Sequence, residues 1–238
     1  MKKPPPLDSH FLLRKVHSLL GVIPVGLFLC FHLFMNSKAV MEGHESLGET
    51  FTFAQVVKSI ESLHPSRAFL NAVEILFIFL PLLLHGIYGL VIWWKGKNNV
   101  LKPGYGFFRN WMYTLQRWTG ILVFLFLIAH VYRMRLAGHG SDLAWAPDEV
   151  FKVLHDYLQN GFGLALYIVG VLASAFHFAN GLWLVGITWG VTIGPRSQKI
   201  STAFAVLVFL VLVFLGGVAL YGFAALPPAT HVAGAMGG

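Results

Sequence analysis

The stretch FLCFHLFMN, residues 28–36, closes a long apolar run and places a titratable ring, His32, inside it. The run begins near residue 16 and has four counterparts, at roughly 68–94, 111–132, 162–191 and 202–226. Each exceeds the ~20 helical residues needed to cross a hydrocarbon core. Lipid cannot satisfy open backbone groups, so spans of this kind are helices. Of the 238 residues, 56% are hydrophobic and 11% charged, against about 25% charged in an ordinary soluble domain. The expected fold is an all-α integral membrane protein, a single domain over 1–238, with five transmembrane helices at about 13–37, 67–95, 110–135, 161–192 and 200–226. Residues 227–238 are expected to form a flexible tail.

The polar, proline-rich start MKKPPPLDSHFLLRK does not lead into a short apolar region with a small-residue cleavage site, so the first apolar run is expected to be retained. Cys30 is the single cysteine. That excludes an internal disulfide, a cysteine-ligated iron–sulfur cluster and a C-x-x-C-H haem attachment in this chain.

Charge sets the expected direction of threading. With the N-terminus inside, the inside segments hold 11 of the 17 basic residues, including Arg14, Lys95, Arg109, Arg117 and Arg196, against one acid, Asp8. The outside segments hold six bases and eight acids. Cationic loops belong on the cytoplasmic side, so the net charge of +7 reads as a topology signal, and no nucleic-acid partner is called for. The outside loops 39–66 and 137–161 are long enough for short surface helices. No internal repeat is visible.

Four of the 11 histidines lie deep inside apolar runs, one on each of the first four helices: His32, His85, His130 and His177, with His17 at the inside mouth of the first. At 1.5 Å per residue, His32 lies roughly 28 Å and His130 roughly 31 Å from the inside end of its helix. His85 lies roughly 15 Å and His177 roughly 22 Å deep. The depths separate an outer pair, His32 with His130, from an inner pair, His85 with His177. A single buried histidine is ordinarily a hydrogen-bonded core residue. Four on separate helices, matched by depth, point to function, because ionisable groups in lipid are costly. Two facing histidines can ligate one haem iron axially, and two pairs would hold two haem groups. Small residues beside the ligands fit a flat macrocycle: Gly86 and Gly89 by His85, and Gly170, Ser174 and Gly181 on the face of His177. Zinc suits the pattern poorly, since no acid or thiolate completes either pair. A histidine proton relay in a transporter stays open, with Pro24 and Pro81 as candidate kinks.

Five motifs then carry a resemblance: HSLLGVIPVGLFLCFHL (17–33), FIFLPLLLHGIYG (77–89), FRNWMYTLQRWTGI (108–121), YIVGVLASAFHFANGLW (167–183) and TWGVTIGPRSQKIS (188–201). Together they resemble the cytochrome b558 membrane-anchor subunits of di-haem, Bacillus-type succinate:quinone oxidoreductases, from about residue 13 to 215. The outer loops and the tail depart from that pattern. The resemblance implies two haem b groups, an inner, proximal one on His85 and His177 and an outer, distal one on His32 and His130. It implies a cytoplasmic iron–sulfur subunit and a FAD-bearing flavoprotein as partners. Electrons would pass from succinate through the clusters and haems to menaquinone in the bacterial inner membrane. A quinol:fumarate reductase would use the same subunit in reverse, and a higher oligomer of the complex is left open.

Supporting residues follow. Glu74 shares the outer tier and precedes His85 by 11 residues, about 1100° of helix or 20° past three turns. It is therefore expected on the bundle-facing side, as a carboxylate for quinone protonation, with Arg67 or water as its alternative partner. His17, Ser18 and Arg117 are candidates for the inner haem propionates, and Arg67 and Arg133 for the outer ones. Asn36, one turn beyond His32, is a candidate quinone contact. Asn180, three residues past His177, is a candidate for a propionate or for capping a distortion. Trp93, Trp94, Trp111 and Trp189 fit an interfacial aromatic belt.

Overall fold

A computed structural model describes residues 9–41, 66–97, 99–136 and 147–226, and residues 53, 55, 59 and 62 besides. Among the described residues every regular element is helical. Five segments are long and apolar enough to cross a membrane: Ser9–Met41, Ala68–Lys95, Phe108–Leu136, Gly161–Thr188 and Pro195–Ala225.

The first span is built of α1 (Ser9–Val22), α2 (Pro24–Asn36) and a 3₁₀ turn, Ser37–Met41. The break falls at Ile23 because Pro24 has no N–H to continue the ladder. The second span runs through α3 (Arg67–Glu74), a π-helical turn (Ile75–Phe79) and α4 (Leu80–Lys95). The Leu80 N–H reaches back to Ile75 O. This widened turn lies just ahead of Pro81, where a regular ladder would meet the proline ring. The third span, α5 (Phe108–Val131), ends in a second π turn, Tyr132–Leu136. A short amphipathic helix, α6 (Pro147–Leu158), precedes the fourth span, α7 (Gly161–Thr188), and the fifth, α8 (Pro195–Ala225).

The ends differ from the sequence expectation in instructive ways. The fourth helix stops at Thr188 rather than near 192, because Gly190 takes a positive φ of 72° and the N–H groups of Val191 and Thr192 both turn back to Gly186 O. The fifth starts at Pro195, whose preset φ suits a first helical position. The tail 227–238 lies outside the described residues.

α7 is the central helix. Its buried face carries Gly163, Tyr167, Gly170, Ala173, Ala175 and Ala179, and such small residues let neighbouring helices approach where lipid offers no hydrophobic drive. A Cβ on Gly170 would strike Phe126, and one on Gly216 of α8 would strike Val171. The end at which the described chain starts is called the near end below, and the opposite one the far end. At the far end α6 lies on the bundle through buried Val150, Phe151, Leu154 and Leu158, packed with Phe126, Met134, Tyr167 and Phe223. Two of its side groups finish α8: His155 Nδ1 stands 2.8 Å from Phe223 O, and Gln159, just past its end, donates to Ala224 O at 2.9 Å. Both satisfy carbonyls that a helix terminus leaves open. The 3₁₀ turn crosses α8 at Gly222, where any Cβ would meet the backbone of Ala39 and Val40.

Candidate functional site

The spans enclose one long cavity of about 850 Å³ that reaches from Arg14 and Trp93 at the near end to Asn36, Glu74 and Arg135 at the far end. Its volume lies in the upper part of the range for ligand pockets, about 300–1,000 Å³. His32, His85, His130 and His177 all line it.

They meet as two pairs. His85 and His177 have ring centroids 6.1 Å apart with planes at 85°. His32 and His130 are 5.8 Å apart at 83°. Each pair joins two different spans. A metal–imidazole bond of about 2 Å on each side of one ion would set the ring centres roughly 6 Å apart. Both pairs therefore have the ring spacing of two imidazoles that share one ion.

The nitrogens left over point the same way. His85 Nδ1 is 2.9 Å from His17 O, and His177 Nδ1 is 3.1 Å from Gln116 O. His130 Nδ1 is 3.0 Å from the Tyr167 hydroxyl. A metal-binding imidazole characteristically spends its second nitrogen on a carbonyl or similar acceptor, which fixes ring and tautomer. These contacts engage Nδ1 in all three rings, and His177 Nε2 stands 3.5 Å from Gln116 Nε2. Glycines make room for the near pair. A Cβ on Gly21 would run into the His85 ring, and one on Gly120 would sit 3.0 Å from His177 Cε1. Of the small residues expected to flank a macrocycle, Gly86, Gly89, Ser174 and Gly181 line the cavity. Gly170 does not; it receives Phe126 instead. Among the described residues no three His, Cys, Asp or Glu side chains cluster around one metal position.

The remaining candidates divide. At the near end His17 stacks on His85, 4.0 Å between centroids and 10° between planes. Its Nε2 is buried with no hydrogen-bond partner among the described residues. A donor buried without a partner is costly, so this nitrogen suits an anionic group lodged in the cavity. Ser18 also lines the cavity; its hydroxyl donates to Lys15 O and accepts from Trp189 Nε1 at 3.0 Å. Arg117 lines the cavity as well, and it has a second task at the end of α4. Its buried guanidinium donates to Trp93 O and, at 2.7 Å, to Gly96 O. It closes the C-terminal end of α4, whose last carbonyls need donors.

At the far end Glu74 faces the cavity, and among the described residues it pairs with Arg135. Arg135 Nη2 lies 2.9 Å from Glu74 Oε2 and 3.1 Å from Asn71 Oδ1. The Glu74 side chain is 38% exposed and that of Arg135 15%, so the pair stands at the cavity mouth. Arg133, expected at the outer propionates, is not among the lining residues; its guanidinium lies 3.6 Å from the Tyr157 ring centroid. The π turn explains the exchange. An i→i+5 turn spends one more residue than an α turn, so the position below His130 shifts from residue 134 toward 135. The side chain of Arg67 lies outside the described residues. Asn36 lines the cavity but donates its amide to His32 O at 2.7 Å. Asn180 reaches α5 through Gln116 Oε1 at 2.8 Å and Met112 O at 3.2 Å.

Sequence reasoning missed Tyr167, Gln116 and Arg135. Tyr167 was within reach of the depth count: ten residues before His177, it stands about 15 Å further out along the same helix.

Comparison with known proteins adds an independent line. A family model described as the succinate dehydrogenase/fumarate reductase transmembrane subunit matches residues 105–216, the segment that carries His130 and His177. The chain is 40% identical over 217 residues to the succinate dehydrogenase cytochrome b558 subunit of Bacillus subtilis (strain 168), covering 91% of this chain and 98% of that protein. No solved structure matches it. Five spans and a relative aligned over nearly its whole length place this chain in the family of succinate dehydrogenase/fumarate reductase transmembrane subunits.

Proposed function

We propose that the chain is the membrane-anchoring, quinone-reacting cytochrome b subunit of a succinate:menaquinone oxidoreductase, with two haem b groups. His85 and His177 would hold the proximal haem, and His32 and His130 the distal one. The observation that carries this is the pairing of four histidines, two by two, at axial spacing along one cavity. Bound there, haem supplies a reversible one-electron carrier at each tier. The chain's own part is to hold and orient. The carbonyls of His17 and Gln116 fix the near ligands, and the Tyr167 hydroxyl fixes His130. His17 Nε2 would offer a donor to a proximal propionate, whereas the Ser18 proton is already given to Lys15 O.

Quinone fits the far end. Its reduction takes up two protons, and Glu74 is the carboxylate at that mouth, held by Arg135. Its role is general acid–base transfer. Asn36 lies on the same wall. The near end, rich in Lys and Arg, would face the cytoplasm and receive the iron–sulfur and FAD subunits. The relative's name supports the succinate dehydrogenase reading, while the family description also names fumarate reductase. A turnover assay run in both directions separates the two.

The decisive measurement is the reduced-minus-oxidised spectrum with haem quantified per chain. Two b-type haems are expected, and one or none overturns the proposal. Replacing His32 or His130 should remove one signal, and replacing His85 or His177 the other. Loss across those pairs would refute the pairing.

A further inference from the structure

Two amide side chains frame the near pair, and no role above uses them as a unit. Asn180 is three residues past His177 on α7 and is buried. Its Nδ2 donates to Gln116 Oε1 at 2.8 Å and to Met112 O at 3.2 Å. Gln116 Nε2 in turn donates to His177 O at 3.0 Å. The Gln116 main-chain oxygen is 3.1 Å from His177 Nδ1.

Gln116 thus touches His177 three times: its main-chain oxygen meets ring Nδ1, its side-chain amide meets the backbone oxygen, and the same Nε2 stands 3.5 Å from ring Nε2. Asn180 decides which way the Gln116 amide faces. With Oε1 occupied by Asn180, Nε2 must turn toward His177 O. Deep in an apolar bundle such amides are expensive unless fully engaged. Interhelical amide bonds can serve simply as glue between spans. Glue, however, need not act on a ring. Here the ring has little freedom left, because its Cε1 lies over Gly120 and the Thr119 hydroxyl stands 3.4 Å from Nδ1.

We infer that Asn180 and Gln116 are positioning residues that set the rotation of the His177 ring, and through it the ligand field of the proximal haem. The inference rests on the axial-ligand reading above. The low-spin ferric signal of a bis-imidazole haem depends on the angle between the two ring planes, which stand 85° apart here. Turning one ring therefore has a spectroscopic signature that glue between helices would not produce.

The test is electron paramagnetic resonance and redox titration of the intact complex in membranes, comparing Asn180→Leu, Gln116→Leu and the double variant with the parent. The proximal signal is assigned by its absence in His85→Leu. The expected result is a shift of the proximal g value and midpoint in each single variant, with the distal signal unchanged. The double variant should shift no further than the larger single one, since residues in one network are not additive. Loss of the proximal signal with the distal one retained is the extreme form of that result. An unmoved proximal signal, equal movement of both signals, additive shifts, or loss of both haems would overturn the inference. A parent complex with fewer than two b-type signals would instead refute the haem reading itself.

Discussion

The near and far histidine pairs have almost the same ring spacing and angle, yet they are held by different chemistry. At the near end each imidazole leans on a main-chain carbonyl of a neighbouring span, and a buried amide pair backs one of them. At the far end His130 leans on a side-chain hydroxyl, and His32 packs its ring against Phe28 and His130. An ion pair and the amphipathic helix α6 adjoin that end. Main-chain acceptors move only with their helices, whereas side-chain acceptors can turn. The near tier is thus held by atoms that move only with their helices and the far tier by a side chain that can turn, which suits the quinone site proposed for that end.

The harshest way to break this contrast is to delete a ligand. His177→Leu should abolish the proximal haem signal and electron flow to quinone, while the distal signal persists; spectroscopy and turnover on one preparation read both. Next comes the ion pair. Glu74→Gln should slow quinone reduction by roughly two orders of magnitude, the lower range for general acid–base groups, with both haems bound. Unchanged turnover would remove Glu74 from the mechanism. Tyr167→Phe is gentler. It deletes the hydroxyl beside His130 Nδ1 and should weaken distal haem retention about tenfold, as loss of a ligand's hydrogen-bond partner does. Haem content after detergent dilution measures it, and a proximal loss instead would reverse the contrast. The smallest effect is expected from His155→Ala. Leaving Phe223 O without its partner should cost about 1 kcal/mol, seen as a modest fall in melting temperature with both spectra intact.

Much of this was legible in the sequence, and for one reason. Lipid allows a spanning chain only the helix, so runs of apolar residues translate directly into spans, and rise per residue into depth. Depth counting groups His32 with His130 and His85 with His177, and the rings stand in those same pairs. It fails where the helix stops being regular. The π turn at Tyr132–Leu136 carries Arg135, rather than Arg133, to the cavity, and nothing in the residues YRMRL announces an i→i+5 ladder. Arg117 illustrates a second blind spot. Any cation near an interface has several takers, and here it both lines the cavity and closes the open carbonyls of α4. The Asn180–Gln116 contact is invisible for a third reason, being a matter of rotation between two spans.

The crossing of the 3₁₀ turn over Gly222 bears on how the molecule is made. It joins the far end of the first span to the last turn of the fifth, backbone against backbone. Gly216, Ala219 and Phe223 of that fifth span also form part of the cavity wall. A ribosome delivers α8 last, so four histidine-bearing spans can be in the membrane while that wall is missing. On the haem reading proposed above, a broad, rigid cofactor would have a lateral entrance until α8 arrives.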